Sequence, residues 1–91
     1  MTSPRLSDFV TGTVYDVAAG GAAYPLALDK SQMLPDSGRD GGSFRLEFVG
    51  PAEPVLPQAI YRFGDDATGH DIFIVPVARE AGGIRYEAVF Y

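Results

Sequence analysis

Residues 43–49 read Ser-Phe-Arg-Leu-Glu-Phe-Val, SFRLEFV. Phe44, Leu46 and Phe48 alternate with Arg45 and Glu47. Successive side chains of a strand point to opposite faces, so this stretch reads as a strand with one buried face and one wet face. The closing stretch, IRYEAVFY (84–91), keeps the same period. Ile84, Tyr86, Ala88 and Phe90 point inward, while Arg85 and Glu87 point out. AIYRF (59–63) is a third such strand, with Ala59, Tyr61 and Phe63 inward. No window of useful length shows the 3.6-residue period of a helix.

The remaining segments extend this pattern. DIFIVPV (71–77) is apolar on both faces, as expected of a strand covered on both sides or lying against a partner chain. Pro76 has no N–H to give to a ladder, which places it at an edge or a strand end. Residues 13–18 and 23–29 flank Ala19-Gly20-Gly21-Ala22, a hairpin signal. Leu6-Ser7-Asp8-Phe9-Val10 has room for one helical turn capped by Ser7 or Asp8. Polar, glycine-rich stretches at 35–42, 64–69 and 79–83 read as loops. The expected fold is all-β and antiparallel: a small six-stranded barrel, or a barrel-like sandwich, formed by a single domain over residues 1–91.

Net charge is −5, and the seven basic residues are scattered. Nucleic-acid binding rests on clustered Lys and Arg, so no nucleic-acid partner is expected. An anionic membrane surface is disfavoured for the same reason. With no cysteine, disulfides, thiolate metal sites and cysteine nucleophiles are excluded. The first ten residues show no apolar stretch of signal-peptide type, and no apolar run approaches the roughly 20 residues of a membrane helix. A cytoplasmic location is expected.

One connection is unusually stiff. GPAEPVLPQAIYRF (50–63) carries Pro51, Pro54 and Pro57. The prolines restrict the unfolded chain and push Glu53 and Leu56 into extended conformations. Val55 and Leu56 are then placed to fold back over an open end of the core. The other reading is a rigid recognition loop, since function concentrates on loops held by a scaffold.

Chemistry-bearing groups are sparse. His70 is the only histidine, and Asp65, Asp66 and Asp71 are its acidic neighbours. These four are the candidate metal ligands, but the loop lacks calcium-loop spacing and offers no second histidine or thiolate for zinc. No metal, cofactor or catalytic residue is therefore assigned. Nothing resembles a nucleophile elbow. Glu47 and Glu87 alternate outward with arginines and are expected to form cross-strand ion pairs with Arg45, Arg62 or Arg85. Val55, Leu56, Phe73, Val75, Val89 and Tyr91 are the candidate interface residues: Val89 and Tyr91 extend an apolar stripe onto the nominally wet face of the last strand, Phe73 and Val75 lie on the two-faced strand, and Val55 and Leu56 on the proline loop.

GPAEPVLPQAIYRF, DIFIVPV and RYEAVFY together resemble an uncharacterised bacterial family of short single β-domains, a domain of unknown function. The likeness spans essentially the whole chain, including the lead-in Leu6-Ser7-Asp8-Phe9. The chain departs from the family pattern at Ala59, in place of glycine, and at Tyr91, in place of a polar residue. The resemblance implies no activity. It implies a structural role near phage-tail-like or tail-collar proteins. The expectation is a non-enzymatic structural or adaptor module that associates with itself or another protein. A small-ligand or metal-binding barrel using residues 64–71 is the alternative.

Overall fold

The computed structural model describes residues 6–34, 43–64 and 69–90. Its strands are β1 (Val14–Ala19), β2 (Ala22–Met33), β3 (Phe44–Gly50), β4 (Ala59–Phe63), β5 (His70–Glu80) and β6 (Gly83–Phe90). They close into an antiparallel barrel in the order β1-β2-β3-β6-β5-β4. Ahead of the barrel, Leu6–Asp8 make one 3-10 turn. No helix among the described residues is long and apolar enough to cross a membrane.

The alternation read from the sequence sets the wall. Phe44, Leu46 and Phe48 of β3 are buried, as are Ile84, Tyr86 and Ala88 of β6. Facing them are Leu26 and Leu28 of β2, Phe63 of β4 and Ile72 and Ile74 of β5. Ala19 pairs with Ala22, so Gly20 and Gly21 alone turn the first hairpin. Their φ angles are 60° and 83°. Two positive φ values in a two-residue loop match the right-handed twist of the strands, and glycine adopts them without penalty. β2 runs on to Met33, beyond the expected end at 29, because β3 offers it partners up to Met33↔Phe44.

The order of strands explains the proline segment. β3 and β4 follow one another in sequence but lie on opposite sides of the ring, with β6 and β5 between them one way and β2 and β1 the other. Their link, residues 51–58, must cross an end of the barrel. It is pinned there. The Leu56 N–H donates to the Tyr86 hydroxyl at 2.8 Å, and the Tyr61 hydroxyl donates to the Pro57 carbonyl at 2.6 Å. Arg79 Nη1 donates to the Ala52 carbonyl at 3.3 Å. The Glu53–Pro54 peptide bond is cis. The Leu56 side chain drops into the core, 4% exposed, while Val55 stays 42% exposed. Leu56 therefore serves as a plug and is not available as an interface residue. Beside the link, Gly83 has φ 134°, and a Cβ there would run into the carbonyl oxygen of Gly50. Only glycine lets the β5–β6 hairpin approach the end of β3 so closely.

The other end is filled by rings. Phe44 and Phe90 stack with centroids 4.5 Å apart, and Phe48 meets Phe63 at 4.9 Å. Phe9, carried by the lead-in, is 5% exposed and covers this group. Gly12 N–H donates to the Leu28 carbonyl at 2.8 Å, and Leu28 N–H to the Thr13 carbonyl at 2.9 Å, which ties the start of β1 to β2.

Leu56→Ala should remove the plug and cost about 2–5 kcal/mol, the usual range for a buried leucine. Val55→Ala, one residue earlier, should change stability by less than ~0.5 kcal/mol. Urea denaturation of both variants checks the contrast, and equal effects would mean that the link is not seated as described.

Candidate interaction face

Two kinds of surface cover the outside of the barrel. The first is charged, over β2, β3 and β6. Glu47 and Glu87 stand directly opposite each other, an unfavourable pair if left alone. Arg45 and Arg85 bracket them. Arg45 contacts Glu87 at 3.3 Å and Glu47 at 3.2 Å, and Arg85 contacts Glu47 at 3.0 Å. Arg85 also holds Glu80 and Asp29, each at 2.9 Å. Asp29 sits where the β2–β3 register shifts, between Leu28 and Lys30. Such a bulge re-aims its side chain, here toward Arg85. The ion pairs expected for Glu47 and Glu87 are thus present with Arg45 and Arg85. Arg62 instead meets Asp71, its cross-strand partner, at 3.3 Å.

This network sets the ionisation of its members. The hydrogen bond from Arg85 holds the Glu80 carboxyl below its ordinary value. Hydrogen bonds to Glu80 and Asp29 push the Arg85 guanidinium up. At the plugged end, burial pushes the Tyr61 hydroxyl up, and the neighbouring Tyr86 adds to this. An open groove of about 430 Å³ lies beside the network, lined by Asp29, Lys30, Gln32, Arg45 and Glu47. Its charges of both signs largely face one another, so it presents no single-sign field to a ligand.

The second surface is apolar, over β4, β5 and β6. Ile60 is 68% exposed and pairs with Phe73, 50% exposed. Val75 faces Glu87 on β6, where the β5–β6 pairing begins. Ile60 and Phe73 thus stand side by side across β4 and β5, and the row continues along β5 through half-buried Val75 to exposed Val77, with Val89, 38% exposed, on β6. β4 supplies partners to β5 only as far as Ala59↔Ile74, and the β5–β6 register shifts between Pro76 and Ala78. Pro76 therefore sits beside a bulge, where its missing N–H is tolerated. Of the candidate interface residues, Phe73, Val75 and Val89 come together here. Val55 lies apart on the proline link, and Tyr91 is outside the described residues. Ile60 was not singled out from the sequence, although its place between the inward Ala59 and Tyr61 carries the signal.

Of the candidate metal ligands, His70 and Asp71 are described, and these two do not converge. Asp65 and Asp66 lie outside the described residues. His70 packs on Phe9, ring centroids 5.1 Å apart, at the aromatic end. Asp71, the next residue, faces the other side of the strand and pairs with Arg62. Among the described residues no group of three His, Cys, Asp or Glu side chains is arranged to hold a metal ion.

Residues 4–90 match the family model described as "Domain of unknown function (DUF6916)", and the chain belongs to this family. No curated protein and no solved structure matches it.

Because its carboxyl is held low in the fold, Glu80 adds stability above its unfolded value near 4.5, and that contribution is lost as pH falls through its lower folded value. A Glu80→Gln variant should accordingly lose the part of the pH dependence seen below about 4.5, as read from thermal midpoints between pH 3 and 6. Identical profiles for the two proteins would show that the Arg85 bond contributes nothing in solution.

Proposed function

For a member of a family whose description assigns no activity, we propose a non-enzymatic assembly module that works in the cytoplasm and docks a protein on its β4–β5–β6 wall. The observation that carries this reading is the exposed cross-strand pair Ile60–Phe73, continued along β5 by Val77 and joined on the same wall by exposed Val89 of β6. Scattered surface apolars need no explanation, but a contiguous row rimmed by charge marks contact surfaces. The outward carboxylates of Glu47 and Glu87 are taken up in ion pairs, which favours structure over acid–base chemistry.

The occupant is a second copy of this chain. Arg62 and Asp71 lie beside the row on one side, and Glu87 and Arg45 on the other. Each border thus offers both signs. A two-fold contact needs a patch that complements itself, which a border carrying both signs allows. Incorporation into a larger tail-like or fibre assembly is the finer form of the same proposal.

Light scattering over a wide concentration range should show a dimer, and Phe73→Glu and Ile60→Glu should convert it to monomer with little change in melting temperature. A monomer throughout would remove the second copy as occupant and leave a different protein in its place. A dimer that survives both substitutions would locate the contact elsewhere.

A further inference from the structure

We propose that the free edge of β2 at Ser31 and Met33 is a second assembly contact, where the same edge of another copy pairs with it antiparallel across a two-fold axis. The choice of occupant rests on the assembly reading above. The edge itself lies apart from that wall, because β2 and β5 stand opposite each other in the ring.

The edge arises from strands of unequal length. β1 pairs with β2 only between Ala22 and Ala27, and the last tie on that side joins Leu28 to Gly12 and Thr13. β2 nevertheless runs on to Met33 against β3. In an antiparallel ladder a residue turns its N–H and C=O to one neighbour, and the next residue turns them to the other side. The Leu34 N–H donates to the Ser43 carbonyl at 2.9 Å, so Leu34, Gln32 and Lys30 address β3. Ser31 and Met33 address the side that β1 has left, and no bond from another described residue reaches them there. The bulge between Leu28 and Lys30 makes the change, since Leu28 still bonds toward β1. All side chains from Asp29 to Met33 are exposed.

This edge is its own complement. Turned about a two-fold axis through Gln32, Ser31 of one copy faces Met33 of the other, and the backbone groups of both pairs satisfy each other. The two Gln32 side chains then stand opposite. Each carboxamide oxygen accepts from Arg45 at 2.9 Å, which leaves the amide N–H groups to donate across the axis. Lys30, the one charged residue of the stretch 30–34, comes opposite Leu34 and not opposite its own kind. Met33 adds an apolar gain. It shares the inward face with its partner Phe44, yet it is 70% exposed, and an added strand would cover it. By contrast, β5 beyond Ile74 is blunted by Pro76 and its bulge. A dimer formed through the wall carries one β2 edge on each far side, so edge pairing links dimers into an open chain.

A few hydrogen bonds set against the cost of association make the edge the weaker contact, formed at millimolar concentration. Amide exchange measured by NMR on Phe73→Glu, whose wall is blocked, reads it alone. Raising the concentration from micromolar to millimolar should slow Ser31 and Met33 several-fold and leave Lys30 and Gln32, already bonded to β3, unchanged. Rapid exchange of Ser31 and Met33 at every concentration would overturn the proposal. So would slow exchange in dilute solution, which would mean that the chain covers its own edge. Ser31→Pro removes an N–H that the β2–β3 ladder does not use, so it should abolish the slowing at Met33, and slowing that persists would also overturn the pairing. Should that variant fail to fold, Met33→Pro with Ser31 as the probe gives the same comparison. Light scattering of the dilute unaltered protein tests the wall separately: a dilute monomer whose Ser31 and Met33 still slow at high concentration would sink the wall and keep the edge.

Discussion

A sheet that closes on itself leaves two open ends, and in a barrel of six short strands those ends are large relative to the core. A chain of this size buries little apolar surface to begin with, so neither end can be left wet. Both plugs answer this constraint. One is Leu56, set in place by a stiff link that has to cross the ring between β3 and β4. The other is Phe9, set on a cage of rings. The links differ because their tasks differ. The crossing segment is part of the chain path and is tied down by Tyr86, Tyr61 and Arg79. The lead-in lies outside the path of the sheet and is seated on the core through Phe9 and Leu6.

Closure also concentrates the outward side chains. On the β3–β6 pair, two glutamates directly opposite each other are made compatible by the arginines on either side. Exposed pairs of this kind contribute little singly. Their arrangement as a network around Arg85, 15% exposed at its side chain, gives that half of the wall a fixed pattern of charge. The remaining half, over β4 and the first part of β5, carries the Arg62–Asp71 ion pair and a row of apolar side chains. The asymmetry between the two halves separates a surface whose charges are paired with one another from one that leaves large apolar side chains exposed.

Membership of a family without an assigned activity leaves the chemistry of the surface as the guide to function. His70 is used as a wall for Phe9, and its acidic neighbour in sequence points away from it. Groups that look like a site in one dimension are thus divided by the pleat of β5. The apolar row arises in the opposite way, from residues on three strands with no proximity in sequence.

Period-two alternation is a local property, and by itself it determined the strands, the faces of β3, β4 and β6 and the all-β antiparallel class, with barrel and barrel-like sandwich both open, while the Gly20-Gly21 pair marked the first turn. It also carried the ion pairing of Glu47 and Glu87 with nearby arginines, since outward neighbours on adjacent strands must meet something. Only the tertiary structure decided the order round the ring, because strand order depends on contacts between residues far apart in the chain. That order separated Leu56 from Val55, one turned into the core and the other into water, where both are simply apolar residues between prolines in the sequence. It extended β2 through Lys30, Ser31, Gln32 and Met33, whose mostly polar side chains give no inward period, because β3 was there to pair with them. It also brought Ile60 beside Phe73. Burial and adjacency are properties of the closed sheet, and the physical reason they were not legible beforehand is that closure, unlike alternation, is not written in any single segment.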